Sequence, residues 1–233
     1  LVTDGAGVVT SAALRTPPRA MLCTEIGDGD AVELMGAWLA ADPELPAVNA
    51  VAGAARTLAA AFRARTGGRS ELTMEMALHA LARGELVDPP RPAAGALRGP
   101  RPEEHELLVE WYVAFVAESE VHEDAGTARS AARLRIERGL AFVWDDDGEP
   151  VSLVGRTVAV AGVPRIGPVY TPPERRSRGY ASTAVAALGR RLFDSGATRI
   201  VLFTDLANPT SNRIYGDLGF RRLADYEQHA LGR

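Results

Sequence analysis

The chain has 233 residues, 46% of them hydrophobic and 24% charged, with a formal net charge of −4, enough for one large domain or two small ones with a real core. The acidic balance argues against nonspecific wrapping of nucleic acid, and because all 26 basic residues are arginine, no single arginine marks a site by itself. The lone cysteine, Cys23, excludes an internal disulfide and a cysteine-based zinc site, and no apolar run approaches the roughly 18 residues of a membrane helix; a protein of the reducing cytoplasm with no membrane partner is expected.

In chain order, GVVTSAALRTPPRAMLCTEI reads as two strands interrupted by a Pro-Pro turn. DAVELMGAWLAA follows as a helix with Asp30 as its N-cap, and VAGAARTLAAAFRARTGG as a second helix ending at Gly67. ELTMEMALHAL alternates as a strand does. Residues 1–88 therefore read as an N-terminal α/β domain. Residues 89–101, rich in Pro, Gly and Arg and without hydrophobic period, read as a linker.

A second domain is expected over residues 102–233. PEEHELLVEWYVAFVAES places acids in a first helical turn ahead of an apolar stripe, and AGTARSAARLRIERG is a shorter helix ending at Gly139. Strands follow, the first two hinged by Asp-Asp-Gly, a hairpin signal that also gives Asp145, Asp146 and Asp147 a simpler role than a cation site. Then come a basic loop, a helix to Gly196, the strand TRIVLFTDL, a short helix and a last strand. This order, α, α, β, β, β, α, β, α, β, describes a mixed sheet with helices on both faces.

Two stretches carry chemistry. In PERRSRGYAS the pattern strand, Arg-x-x-Gly-x-Ala, helix presents the unpaired amides of a first helical turn, and about half a positive charge from the macrodipole, to an anion. Gly179 lacks the Cβ that would block close approach of a phosphate, and Arg176 and Arg178 can add charge-assisted bonds. A solvent-facing turn would use the same residues. With no lysine a Walker loop is excluded, and no Gly-x-Gly-x-x-Gly follows a strand. The second stretch runs from Asn208 to Phe220: Asn208 can cap a short helix that Gly219 ends, with Ser211 and Tyr215 one turn apart on one face. Tyr215 and Phe220 as core aromatics is the alternative reading.

Both stretches, in this order and spacing, resemble the GNAT superfamily of acyl-CoA-dependent N-acyltransferases from about residue 102 to the end. Arg176-Ser-Arg-Gly179-Tyr-Ala181 is similar to its Arg/Gln-x-x-Gly-x-Gly/Ala loop, and Asn208, Ser211, Tyr215 and Gly219-Phe220 to its Asn-x-x-Ala/Ser-x-x-x-Tyr-x-x-x-Gly-Phe segment. The resemblance implies a mixed, mostly antiparallel α/β sheet flanked by helices, and transfer of an acetyl group from acetyl-CoA to a primary amine in a ternary complex, without a metal. It further implies that the loop of Arg176, Ser177, Arg178, Gly179, Tyr180, Ala181 and Ser182 holds the CoA pyrophosphate, chiefly through backbone amides. The strand end Val169, Tyr170 and Thr171 would pair with pantetheine where that strand splays from its neighbour, with one N–H near Val169 or Tyr170 facing the thioester oxygen. Asn208, with Ser211 beside it, would meet the pantetheine, and Tyr215 would act as general acid to the departing sulfur.

VAVAGVPRIGPVY carries no carboxylate where many relatives place a glutamate base, which leaves Glu118, Glu120 and His122 as candidate bases by position. A non-catalytic acyl-CoA-binding sensor or interaction module is the alternative function. An arginine-lined nucleic-acid contact is opposed by net charge and by the lack of interleaved aromatics beyond Tyr170 and Tyr180. His79, His105 and His229 lack ligand spacing, and Cys23 reads as a small buried apolar residue. The first half loosely echoes the second in its element order and its TPPR, as a degenerate acyltransferase-like unit would, but it has no Arg-x-x-Gly-x-Ala.

Overall fold

A computed structural model describes residues 1–119 and 124–232, and the chain divides into two units. The first comprises Leu1–Leu78, Asp205–Ala207 and Ala224–Arg233; the second comprises His79–Thr204 and Asn208–Leu223. Its elements begin with β1 (Val2–Thr3), β2 (Val9–Ser11), β3 (Ala13–Leu14), β4 (Met21–Cys23), α1 (Asp28–Ala41), β5 (Ala47–Val51), α2 (Ala52–Thr66) and β6 (Arg69–Ala82). They continue with β7 (Ala96–Arg98), α3 (His105–Glu118), α4 (Ala125–Glu137), β8 (Ala141–Asp146), β9 (Glu149–Arg156), β10 (Ile166–Tyr170), α5 (Tyr180–Asp194), β11 (Arg199–Asp205), α6 (Pro209–Asp217) and β12 (Arg221–Gly232).

In the first unit β5 pairs with β4 in parallel, Met21 against Val48, and with β12 in antiparallel, His229 against Val48 and Glu227 against Ala50. Met21, Met35, Val48, Leu58 and Phe62 fill its core, with Cys23 buried beside them and its thiol pushed up by that burial. Strand β5 has no counterpart in the sequence reading. AVNAV runs straight into α2 without a turn residue and is too short for a period-2 signal to stand out. Helix α1 starts earlier than expected: Gly27 is its N-cap, and Asp28 and Asp30 both lie in the first turn, where the macrodipole favours them. Glu227 is buried, which opposes its charge, yet Arg56 and His229 hydrogen-bond it at 3.0 and 2.8 Å and hold its carboxyl below the ordinary range.

From α3 to β12 the chain has the expected order of helices and strands, though β7 precedes it unforeseen and most of β12 lies in the first unit; the fold is mixed α/β with mostly antiparallel strands. Strands β10, β9, β8 and β7 lie side by side, all antiparallel. Asp147 and Gly148 turn β8 into β9 with φ of 53° and 85°, the left-handed pair that a two-residue hairpin requires. Residues 89–101 belong to this unit: β7 zips onto β8, Ala96 against Asp145 and Arg98 against Val143, and the Trp144 indole donates to the Ala94 carbonyl at 2.8 Å. Helix α5 packs on β9 and β10, burying Tyr180, Ala184, Leu188 and Leu192 in one core with Val154, Ile166 and Ile200.

Candidate functional site

Within the second unit, β10 and β11 are parallel neighbours that touch once. Arg165, just before β10, bridges to Val201, whose N–H donates to the Pro164 carbonyl at 3.1 Å. Beyond that bridge β10 is the edge of one sheet, paired with β9 through Val169↔Val154 and Tyr170↔Leu153, while β11 belongs to another. The register of β10 shifts between Ile166 and Val169, where Pro168 can supply no N–H. The strands thus part toward their C-terminal ends, and the edge of β10 that faces the parting is open to an added extended chain.

The chain leaves β10 through Thr171 and reaches α5 at Gly179, which is the helix N-cap in the left-handed region at φ 82°. No side chain caps α5, and the helical bonds begin with Thr183 N–H returning to the Gly179 carbonyl at 3.0 Å, ahead of which lie the amides of Tyr180, Ala181 and Ser182. The Ser182 and Thr183 hydroxyls also turn onto the Gly179 carbonyl, at 2.9 and 2.8 Å. A Cβ on Gly179 would stand 2.6 Å from the Arg91 carbonyl oxygen, and the Ala93 N–H donates to Thr183 Oγ1 at 2.9 Å. The glycine is thus demanded by the protein's own connector backbone, a contact no local motif announces. Tyr180 is buried, and its hydroxyl donates to Asp146 at 2.5 Å; that bond and burial push the phenol up. Arg176, Ser177 and Arg178 are exposed, and Arg175 pairs with Glu149 at 2.8 Å.

The structure brings Glu118 and Arg176 together. The Arg176 guanidinium donates to both Glu118 oxygens, at 2.9 and 2.6 Å, and through Nε to the Thr171 carbonyl at 2.9 Å. Tyr170 donates its hydroxyl to Glu118 at 3.3 Å; burial first, then the Glu118 charge, raise that phenol's pKa. The Ser152 hydroxyl meets the Tyr170 carbonyl at 3.0 Å and Thr171 Oγ1 at 2.9 Å. The carboxylate named as a candidate base is therefore committed to a guanidinium. Glu120 and His122 lie outside the described residues.

Asn208 caps α6, its Oδ1 accepting from Ser211 N–H at 3.0 Å. Asn212 donates Nδ2 to the Asn208 carbonyl at 2.9 Å, so its Oδ1 faces Thr204, whose hydroxyl donates to it at 2.6 Å. With that proton used, His79 Nε2, 3.2 Å from Thr204 Oγ1, must be the donor there. Residues His79, Thr204 and Asn212 were not foreseen as a group. They lie on different elements, and only their juxtaposition makes a chain that steadies α6. Thr204→Val keeps shape but removes the hydroxyl that joins His79 to Asn212 and with it two hydrogen bonds, and should lower unfolding free energy by about 1–3 kcal/mol in a denaturant titration. Tyr215, on α6, is half-buried with its ring edge-on to Phe220 at 5.9 Å, and desolvation raises its phenol to about 12.

Among the described residues no group of three or more His, Cys, Asp or Glu could hold a metal ion, and no helix is long and apolar enough to cross a membrane.

The chain matches the model of the acetyltransferase (GNAT) family over residues 103–220, just over half its length. Among solved structures it is similar to a GCN5-related N-acetyltransferase from Sphaerobacter thermophilus, with 18% identity and TM-score 0.65 over 99% of this chain and 79% of that one. A GCN5-related N-acetyltransferase from Kribbella flavida aligns with 21% identity and TM-score 0.60 over 90% and 80% of the two chains. A GNAT-family acetyltransferase from Colwellia psychrerythraea aligns with 13% identity and TM-score 0.59 over 87% and 72%. No curated protein sequence matches. At such low identity these structures speak to fold alone, whereas the family match covers both quoted stretches together with β10 and β11. The chain belongs to the GNAT acetyltransferase family and is an acyltransferase.

Proposed function

We propose that this enzyme moves an acetyl group from acetyl-CoA to a primary amine by direct attack within a ternary complex, using the second unit. The observation that carries the reading is the parting of β10 from β11 just ahead of an α-helix whose first turn has no side-chain cap. Pantetheine would lie along the edge at Val169 and Tyr170 as an added strand, and the diphosphate on the amides from Ser177 to Ser182. Asn208 and Ser211, at the start of α6, would border the pantetheine.

The neutral amine attacks the thioester carbonyl carbon. The carbonyl oxygen takes up negative charge, which an N–H of Val169 or Tyr170 would stabilise, and the C–S bond then breaks to release CoA thiolate. The proton lost by the ammonium passes to solvent or a base, and one proton is finally taken up by the thiolate. A phenol with pKa about 12 stays protonated at neutral pH. Tyr215 in this reading donates a hydrogen bond to the departing sulfur.

Acetyl-CoA at about a hundred times its Kd should stabilise the fold by about 2.7 kcal/mol, read as a rise in Tm. An unchanged Tm at saturating acetyl-CoA would overturn the proposal. A screen of small amines, amino acids and peptides, read by CoA thiol release, then assigns the acceptor. Binding without release across the panel would make the chain an acyl-CoA sensor.

A further inference from the structure

We propose that Arg176 and Glu118 form a latch fixing the junction of β10 and the anion loop, so that both are positioning residues and neither is a diphosphate ligand or a base. The inference rests on the acetyl-CoA reading above only for what the latched junction serves. The latch itself is described by contacts within the second unit.

Three groups of Arg176 are used. Nε holds the Thr171 carbonyl at 2.9 Å, one terminal nitrogen takes both Glu118 oxygens, and the guanidinium carbon lies 5.7 Å from the Tyr170 ring centroid. Glu118, the last residue of α3, also accepts the Tyr170 hydroxyl. Apart from the Arg176–Glu118 pair itself, these links end on Tyr170 and Thr171, the last residue of β10 and the next one. The same two residues are also held by the Ser152 hydroxyl. A planar fork that bonds a carbonyl through Nε and a carboxylate through one terminal nitrogen has a fixed direction, and a diphosphate reaching for either nitrogen would have to break the bond it already makes.

Arg176 and Glu118 side chains are 44% and 47% exposed, so the pair adds little to global stability. A contact that hardly stabilises the whole but converges on the strand end where the thioester would lie acts locally. It sets the place of the Val169–Tyr170 edge relative to the loop amides.

The two roles predict opposite signs. If Arg176 were a phosphate ligand competing with Glu118, Glu118→Ala would release it and tighten acetyl-CoA binding. As a latch, Glu118→Ala should raise the KM for acetyl-CoA by about fivefold, the scale of one lost exposed charge-assisted bond. Arg176→Lys keeps the charge but not the fork, and should behave like Glu118→Ala. The double variant should be no worse than either single one. S-acetyl-pantetheine, which lacks the diphosphate, should suffer the same fold loss. In the ligand-free protein both single variants should show about fivefold faster amide hydrogen exchange over residues 171–182 at nearly unchanged Tm.

Tighter acetyl-CoA binding by Glu118→Ala, a wild-type KM in Arg176→Lys, or unchanged exchange in both would each overturn the latch. If the wild type bound no acetyl-CoA, the donor reading would fall while the exchange measurement still judged the latch.

Discussion

Gly179→Ala should lower stability by about 2 kcal/mol or more and abolish the thermal shift given by acetyl-CoA. Two costs add. A residue with a Cβ pays about 1–2 kcal/mol to hold the left-handed conformation at φ 82°. Its Cβ would also stand 2.6 Å from the Arg91 carbonyl oxygen, a backbone atom held by the Ala93–Thr183 bond. Either Gly179 leaves its conformation, displacing the first amides of α5, or residues 91–93 move off the helix start. Both spoil an anion seat made of backbone N–H groups. Gly53→Ala is the control: it sits in α2 with nothing within 4 Å of the added carbon. It should be neutral or stabilising by up to about 1 kcal/mol. A Gly179→Ala protein with wild-type Tm and a full acetyl-CoA shift would refute both the packing account and the amide seat.

The second large effect is expected at Tyr215. Tyr215→Phe should lower kcat by about tenfold to a hundredfold with little change in the KM for acetyl-CoA, because in the proposed reading the hydroxyl meets charge that develops on sulfur only as the C–S bond breaks. Desolvation raises this phenol to about 12, whereas an ordinary thiol has a pKa of about 8.5. Against that ordinary thiol, full proton transfer from Tyr215 to the thiolate would be uphill by roughly 5 kcal/mol, which favours the proposed hydrogen-bond donation over general acid catalysis. The kcat profile of the wild type should therefore have no basic limb from Tyr215 below about pH 11. Stability follows the same sign. The folded state holds this proton more tightly than the unfolded chain, so its contribution is complete below roughly pH 10 and is lost as pH rises through about 12. An unchanged kcat in Tyr215→Phe would remove the hydroxyl from the chemistry.

Much of the second unit was legible because its signals are local. The Asp147-Gly148 hairpin, the Asn208 cap and the amphipathic α5 each depend on residues within a few positions of one another. What escaped was pairing across long separations. Strand β7 lies in a segment whose prolines and glycines read as linker, and only β8, about fifty residues later, gives it a partner. The same distance hid the reason for Gly179: its freedom was foreseen for a phosphate, yet Arg91 occupies the space beside it. Glu118 was named for its place at the end of a helix, and its ion pair with Arg176, 58 positions away, could not be read from that place.

The sequence by itself determined the order of helices and strands from α3 onward, the caps, the hairpin and the two motif stretches, because these follow from backbone conformation and periodicity within one or two turns. Only the tertiary structure decided which edge of β10 stays open, which carbonyl faces Gly179, which carboxylate takes Arg176, and that His79 and Thr204 stand behind α6. Those outcomes depend on which distant groups come to share a few ångströms, and hydrogen bonds and ion pairs act only at that range.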